Sequence, residues 1–195
     1  MPQLIIQPST ADNVLLSAFP TTNYGTSVNL NVGRVDASGG IYRSLLKFDC
    51  SALPNYITVT FALLRFYVYA VVGSSGRTLW AYRLTRTDWT ETGSTWNNYK
   101  AGSTWTAAGG DWTVTNGVSV SGPAVGNWVT WDVATQINYA IANTNKIAHF
   151  LMKDGTETDG QATGLYSNNY TDDTTKCPKL TLTYRYKNGL WFGNG

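Results

Sequence analysis

An all-β domain of the sandwich or barrel type is the fold this chain predicts, and three observations lead there. Charged residues make up 13% of the 195 residues and aromatics another 13%. That balance excludes a highly charged disordered chain as well as coiled coils and long helical bundles. Period-two alternation and β-branched runs recur along the whole length. Gly, Asn, Pro and Ser clusters punctuate those runs, among them Ser38-Gly-Gly40, Gly73-Ser-Ser-Gly76 and Ala108-Gly-Gly110.

Taken in order, Ser27–Val32 alternates cleanly and puts Val28, Leu30 and Val32 on one face. Ile41–Phe48 and Val59–Val72 are richer in apolar residues and read as central strands. Leu79–Thr85, Trp112–Val120, Trp128–Val133, Ile147–Met152 and Lys179–Tyr186 continue the series, for about nine strands in total. One segment breaks the pattern: within Asp132–Ala142, Val133, Ile137, Ala140 and Ile141 share a helical face. Asp132 can accept a free backbone N–H of the first turn, so one short amphipathic helix is expected over an open end of the fold. No linker divides the chain, giving one domain over residues 1–186 and an apolar tail over 187–195. Gly93-Ser-Thr-Trp96 is echoed by Gly102-Ser-Thr-Trp105, too briefly to mean a repeat protein.

Fourteen basic against twelve acidic side chains give a net charge of +2, without the dense basic stripe of a nucleic-acid groove. No apolar run approaches membrane-spanning length, so membrane insertion is not expected. The start at Met1-Pro2-Gln3-Leu4-Ile5-Ile6 lacks the basic and apolar regions of a signal peptide. Cys50 and Cys177 are too few for a disulfide framework and are expected as free thiols. His149, in a strand-like run, reads as a hydrogen-bonded structural residue.

The segments Tyr42-Arg-Ser-Leu-Leu-Lys-Phe-Asp-Cys-Ser-Ala-Leu-Pro54 and Phe61-Ala-Leu-Leu-Arg-Phe-Tyr-Val68 resemble the DNRLRE domain. Arg83–Glu91, Ser94-Thr-Trp-Asn97, Gly109-Gly-Asp111, Val129-Thr-Trp-Asp-Val133 and Cys177–Tyr184 match it further, in order and over nearly the whole chain. The resemblance implies a jelly-roll β-sandwich of the kind found as a module in secreted or surface proteins. Some members of that family are carbohydrate-binding modules, and the resemblance brings no active site with it.

The stretch Trp89–Trp112 carries the most distinctive chemistry. Exposed indole and phenol rings stack on sugar C–H faces while Asn, Asp and Arg read hydroxyls; buried, the same rings would staple a long loop to the sandwich. Trp89 and Trp96 are assigned to packing, whereas Tyr99 and Trp105, with Asn97 and Asn98, form the expected glycan platform. Asp154, Glu157 and Asp159, in a loop rich in oxygen ligands, are the weak candidates for calcium, with no other cofactor expected. Asp88, Glu91 and Asp111 are the nearest carboxylates to a glycosidase pair, but capping of turns and pairing with Arg83 or Arg86 account for Asp88 and Glu91 more simply. With no nucleophile elbow, zinc motif or phosphate loop, the chain reads as non-catalytic.

Two functions remain. The first expectation is a structural or adhesive protein on a virion surface, such as a phage capsid decoration or tail component. It would be homo-oligomeric and held by neighbouring subunits through Leu190, Trp191 and Phe192 of its tail, since three large apolar side chains suffice to seat a short peptide. The alternative is a carbohydrate-binding module of a secreted or cell-surface protein, with polysaccharide as its partner.

Overall fold

The computed structural model describes residues 1–73 and 77–187. Thirteen strands and one α-helix follow one another in chain order: β1 (Gln3–Ile6), β2 (Ala11–Leu16), β3 (Asn29–Arg34), β4 (Tyr42–Asp49), β5 (Ile57–Val72), β6 (Thr78–Leu84), β7 (Asn98–Lys100), β8 (Ser103–Thr104), β9 (Trp112–Ser121), β10 (Trp128–Asp132), α1 (Ala134–Asn143), β11 (Ile147–Asp154), β12 (Gln161–Tyr166) and β13 (Lys179–Tyr186). Every pairing is antiparallel. Of the sandwich or barrel that the alternation allowed, the sandwich that the family resemblance implied is what forms.

The sixteen-residue β5 joins the two sheets. Its first part pairs with β13 and β10, and β1 extends that sheet beyond β13. Its last residues pair with β12 in a second sheet that runs through β3, β4, β11 and β6 to β9. The crossing is marked by a bulge: Val68 pairs with Leu165 and Ala70 with Gly164, leaving Tyr69 extra. A bulge adds a residue on one strand and re-aims its neighbours. Before it, Leu64, Phe66 and Val68 face the core; beyond it Val71 does, so Tyr67 and Tyr69 both point outward.

The sandwich core joins Ala62, Leu64, Phe66, Leu180 and Leu182 of one sheet to Leu30, Leu46, Phe48, Phe150 and Met152 of the other. Trp131 spans the layers: its ring meets Phe66 edge-on at 5.7 Å and its indole N–H donates to the Leu79 carbonyl at 3.0 Å. The expected helix forms and closes one end, burying Val133, Ile137 and Ala140. Asp132 does receive the Ala134 N–H, at 3.1 Å, but also that of Ala62, so the same carboxylate ties the helix to β5. No helix among the described residues is long and apolar enough to cross a membrane.

A second, smaller core lies on the outer face of the second sheet, where Leu15, Leu45, Leu84 and Leu151 meet Trp89 and Trp105. It explains why β2 escaped the alternation: all six of its residues are buried, Val14 in one core and Ala11 and Leu15 in the other.

Candidate functional site

The structure places Trp105 of the expected platform inside this second core. Trp105 is 5% exposed and its indole N–H donates to the Thr95 carbonyl at 2.9 Å, so it cannot offer a ring to solvent. Loop 85–111 lies over leucines of the sheet's outer face, and burying its largest rings there stabilises it more than exposing them would. Trp89, assigned to packing, is 1% exposed and donates to His149 Nδ1 at 3.1 Å. Tyr99 is half-buried against Trp105, with the Arg86 guanidinium 4.5 Å from its ring centre. Asn97 and Asn98 act through their backbones: Asn97 N–H donates to the Pro20 carbonyl and Asn98 N–H to the Thr95 hydroxyl. The four residues are thus neighbours, with Trp105 buried and Asn97, Asn98 and Tyr99 partly exposed.

Each of the three calcium candidates is paired with a cationic side chain. Asp154 is buried with Arg77 at 2.6 Å, Glu157 takes Arg43 at 2.7 Å and Lys153 at 3.3 Å, and Asp159 takes Arg34 at 2.8 Å. Among the described residues no three His, Cys, Asp or Glu side chains converge on a metal position. Asp88 pairs with Lys100 as well as Arg86, whereas Glu91 accepts the Asp12 backbone N–H instead of an arginine. Both cysteines are free and buried, and burial pushes the Cys50 thiol up to about 12. Leu190, Trp191 and Phe192 lie outside the described residues.

The exposed aromatic surface is elsewhere. On the outward side of β5, Tyr67 meets Trp128 of β10 edge-on at 5.7 Å and stacks with Tyr166 of β12 at 6.0 Å. Tyr166 in turn stacks on Tyr69 at 5.1 Å and on Tyr170 at 3.7 Å. Trp128 is 37% exposed and the four tyrosines are half-exposed. Tyr69 lies directly over Gly164, where an added Cβ would stand 2.5 Å from the ring, and its hydroxyl donates to Asn31 Oδ1 at 3.3 Å. Glycine is required there by space and not by backbone conformation.

Asn31 links this row to a cleft of about 320 Å³. The cleft exists because β4 gives most of one edge to β2 and touches β3 only at the Tyr42–Gly33 pair, so β2 and β3 diverge. Val14 and Leu16 form one wall, Asn29 and Asn31 the other, and Tyr42, Tyr24 and the 58%-exposed Phe19 complete it. The amide nitrogen of Asn31 and the side chain of Asn29 have no hydrogen-bond partner among the described residues. Burial pushes the hydroxyls of Tyr42 and Tyr69 up, and a hydrogen bond with Tyr166 pushes that of Tyr170 up to about 12. These phenols are therefore neutral donors at physiological pH. Lys176 and Lys179 set ammonium groups 5.0 Å from the Tyr67 ring and 4.9 Å from the Trp128 ring.

A surface of neutral rings with amides and hydroxyls at its margin suits ligands with apolar faces and many hydroxyl groups. Residues 6–184 match the model of carbohydrate-binding module family 96. The chain belongs to that family. The module finds no match among curated proteins. The family is one of non-catalytic binding modules, which agrees with the lack of a catalytic constellation in the sequence and backs the carbohydrate reading over virion decoration. The resemblance to the DNRLRE domain thus pointed to the right kind of module.

Sequence reading missed Tyr67, Tyr69, Trp128, Tyr166 and Tyr170. A signal for the first two was present: in Leu64-Arg-Phe-Tyr-Val-Tyr69 aromatics occupy both faces of a central strand, and only one face can point into the core. The convergence of Trp128, Tyr166 and Tyr170 had no sequence signal, since pairing of β10 and β12 with β5 creates it.

Proposed function

We propose that the module binds a polysaccharide chain along the aromatic row from Trp128 through Tyr67, Tyr166 and Tyr69 into the Asn31 cleft. The continuity of that row with a concave, amide-lined cleft is the observation that carries the reading. Sugar rings pack their C–H faces on the aromatics, Asn29 and Asn31 take hydroxyls in the cleft, and the rigid sheet holds these groups in place without reorganisation. The module adds adhesion rather than turnover, and polysaccharide binding places it outside the cell or on a cell surface. Affinity electrophoresis through gels of neutral and uronic-acid polysaccharides tests this. At least one should retard the wild type, and Tyr67→Ala or Trp128→Ala should weaken retention by about 1–2 kcal/mol with the melting temperature nearly unchanged. Retardation by no polysaccharide, or retention unaffected by either substitution, would refute the site.

A further inference from the structure

A second aromatic row lies on the far part of the second sheet. Trp80 and Tyr82 of β6 stack at 5.3 Å with nearly parallel rings, and Trp112 at the start of β9 continues the row at 6.3 Å. As with Tyr69 over Gly164, Tyr82 rests against a glycine: a Cβ at Gly117 would stand 2.4 Å from its ring. All three rings are half-exposed. Trp112 also forms a wall of a cleft of about 410 Å³, whose other sides are Thr85, Arg86, Thr106, Ala107 and Asp111.

The polar groups of this cleft divide into fixed and free. Asp111 is fixed, its two carboxylate oxygens accepting the Thr106 and Ala107 N–H groups, each at 3.0 Å. Its carbonyl takes the Thr85 hydroxyl, also at 3.0 Å. Arg86 is steered without being consumed. Asp88 and Asp111 lie 3.9 and 4.0 Å from its nitrogens, beyond hydrogen-bond length, and its side chain is 39% exposed. The Thr106 hydroxyl has no partner among the described residues. An indole wall, a guanidinium whose forked donors are unfilled and a free hydroxyl, around a space of this size, match one or two pyranose units: C–H face on Trp112, a pair of oxygens on Arg86.

The geometry points to a second glycan-binding site in the Trp112–Arg86 cleft, separate from the Trp128–Tyr69 row and making the module bivalent. It rests on the carbohydrate reading above and extends it. The two sites stand on different elements, loop 85–111 with the start of β9 against β10, β5, β12 and β3, so one chain can bridge two polysaccharide strands or gain avidity on one.

Isothermal titration with hexasaccharides cut from cellulose, mannan, xylan, chitin and polyuronate tests it on the intact protein. The bivalent module should take two equivalents of the hexasaccharide it binds. Arg86→Ala, and separately Ala107→Arg to fill the cleft, should each reduce this to one. Tyr67→Ala should also leave one, and its pairing with Arg86→Ala none. On the matching polymer, losing either site should weaken apparent affinity roughly hundredfold. One equivalent for the wild type, abolished by Tyr67→Ala and untouched by Arg86→Ala and Ala107→Arg, would overturn the second site and leave the first standing. No heat with any hexasaccharide would overturn both.

Discussion

Asp12→Asn should stabilise the protein at alkaline pH and make its stability less dependent on pH. Asp12 is 1% exposed, on a strand buried on both faces. One carboxylate oxygen accepts the Ser9 hydroxyl and the Asn168 N–H, each at 2.8 Å. Among the described residues no cationic side chain pairs with it, and Glu91 lies beside it, its own carboxylate taking the Asp12 N–H. Burial, only partly offset by those two bonds and reinforced by Glu91, raises the Asp12 carboxyl from 3.8 to about 7. The folded state therefore holds the proton more tightly than the unfolded chain. Its contribution is fully present below about pH 3.8 and is lost as pH rises through about 7. At roughly 1.36 kcal/mol per tenfold change in proton affinity, the loss amounts to about 4 kcal/mol as an upper bound, because relaxation around a buried charge softens it. Asparagine keeps the shape and the acceptor oxygen, and presents an N–H₂ toward Glu91 in place of a second negative charge. At pH 8 the variant should gain about 2–4 kcal/mol, or roughly 5–15 °C in melting temperature for a chain of this length. At pH 4 the two proteins should melt within a degree or two. Calorimetric scans of both proteins from pH 4 to pH 8 read the difference, and groups common to both cancel. A melting-temperature difference that is flat across this range, or a variant less stable at pH 8, would refute the reasoning.

Three further outcomes follow from the same geometry. Burial, then Lys47, depresses His149 to about 4, so its imidazole NMR signals should stay those of the neutral ring until near pH 4. As the folded value lies below the ordinary 6.5, this histidine favours the fold above pH 6.5 and costs stability as pH falls from there toward 4, a trend His149→Gln should flatten. Gly164→Ala should drive the Tyr69 ring off its seat and away from Asn31, lowering polysaccharide affinity about tenfold for a stability cost near 1 kcal/mol. Trp105→Ala should cost about 3–5 kcal/mol in urea unfolding, since it empties the second core and orphans the Thr95 carbonyl, whereas a surface ring would cost under about 0.5.

The strands that form one wall of the sandwich core were legible from sequence because their two faces meet different surroundings. In β3, Leu30 and Val32 go inward while Asn29 and Asn31 do not, and a period of two records that contrast. The helix was legible for the same reason, with Val133, Ile137 and Ala140 falling on one side. Where both faces are covered the contrast vanishes, and β2, with Asp12 and Asn13 buried among its apolar residues, shows no period of two.

The choice among tryptophans lay beyond sequence. Trp105 and Trp128 are chemically identical and both sit among polar neighbours. What separates them is loop 85–111 folding onto the outer leucines of one sheet, while Trp128 keeps 37% of its surface exposed among the described residues. The sequence by itself determined the all-β class, the helix and the kind of module, because local alternation encodes which residues are buried and the ordered motifs carry the family resemblance. Only the tertiary structure decided where a ligand can meet the protein. Trp128, Tyr67, Tyr166 and Tyr69 become one surface through strand pairing across about a hundred residues, which sets β10 and β12 beside the outward side of β5. Such a surface is a property of distance in space, which period and spacing along a chain do not record.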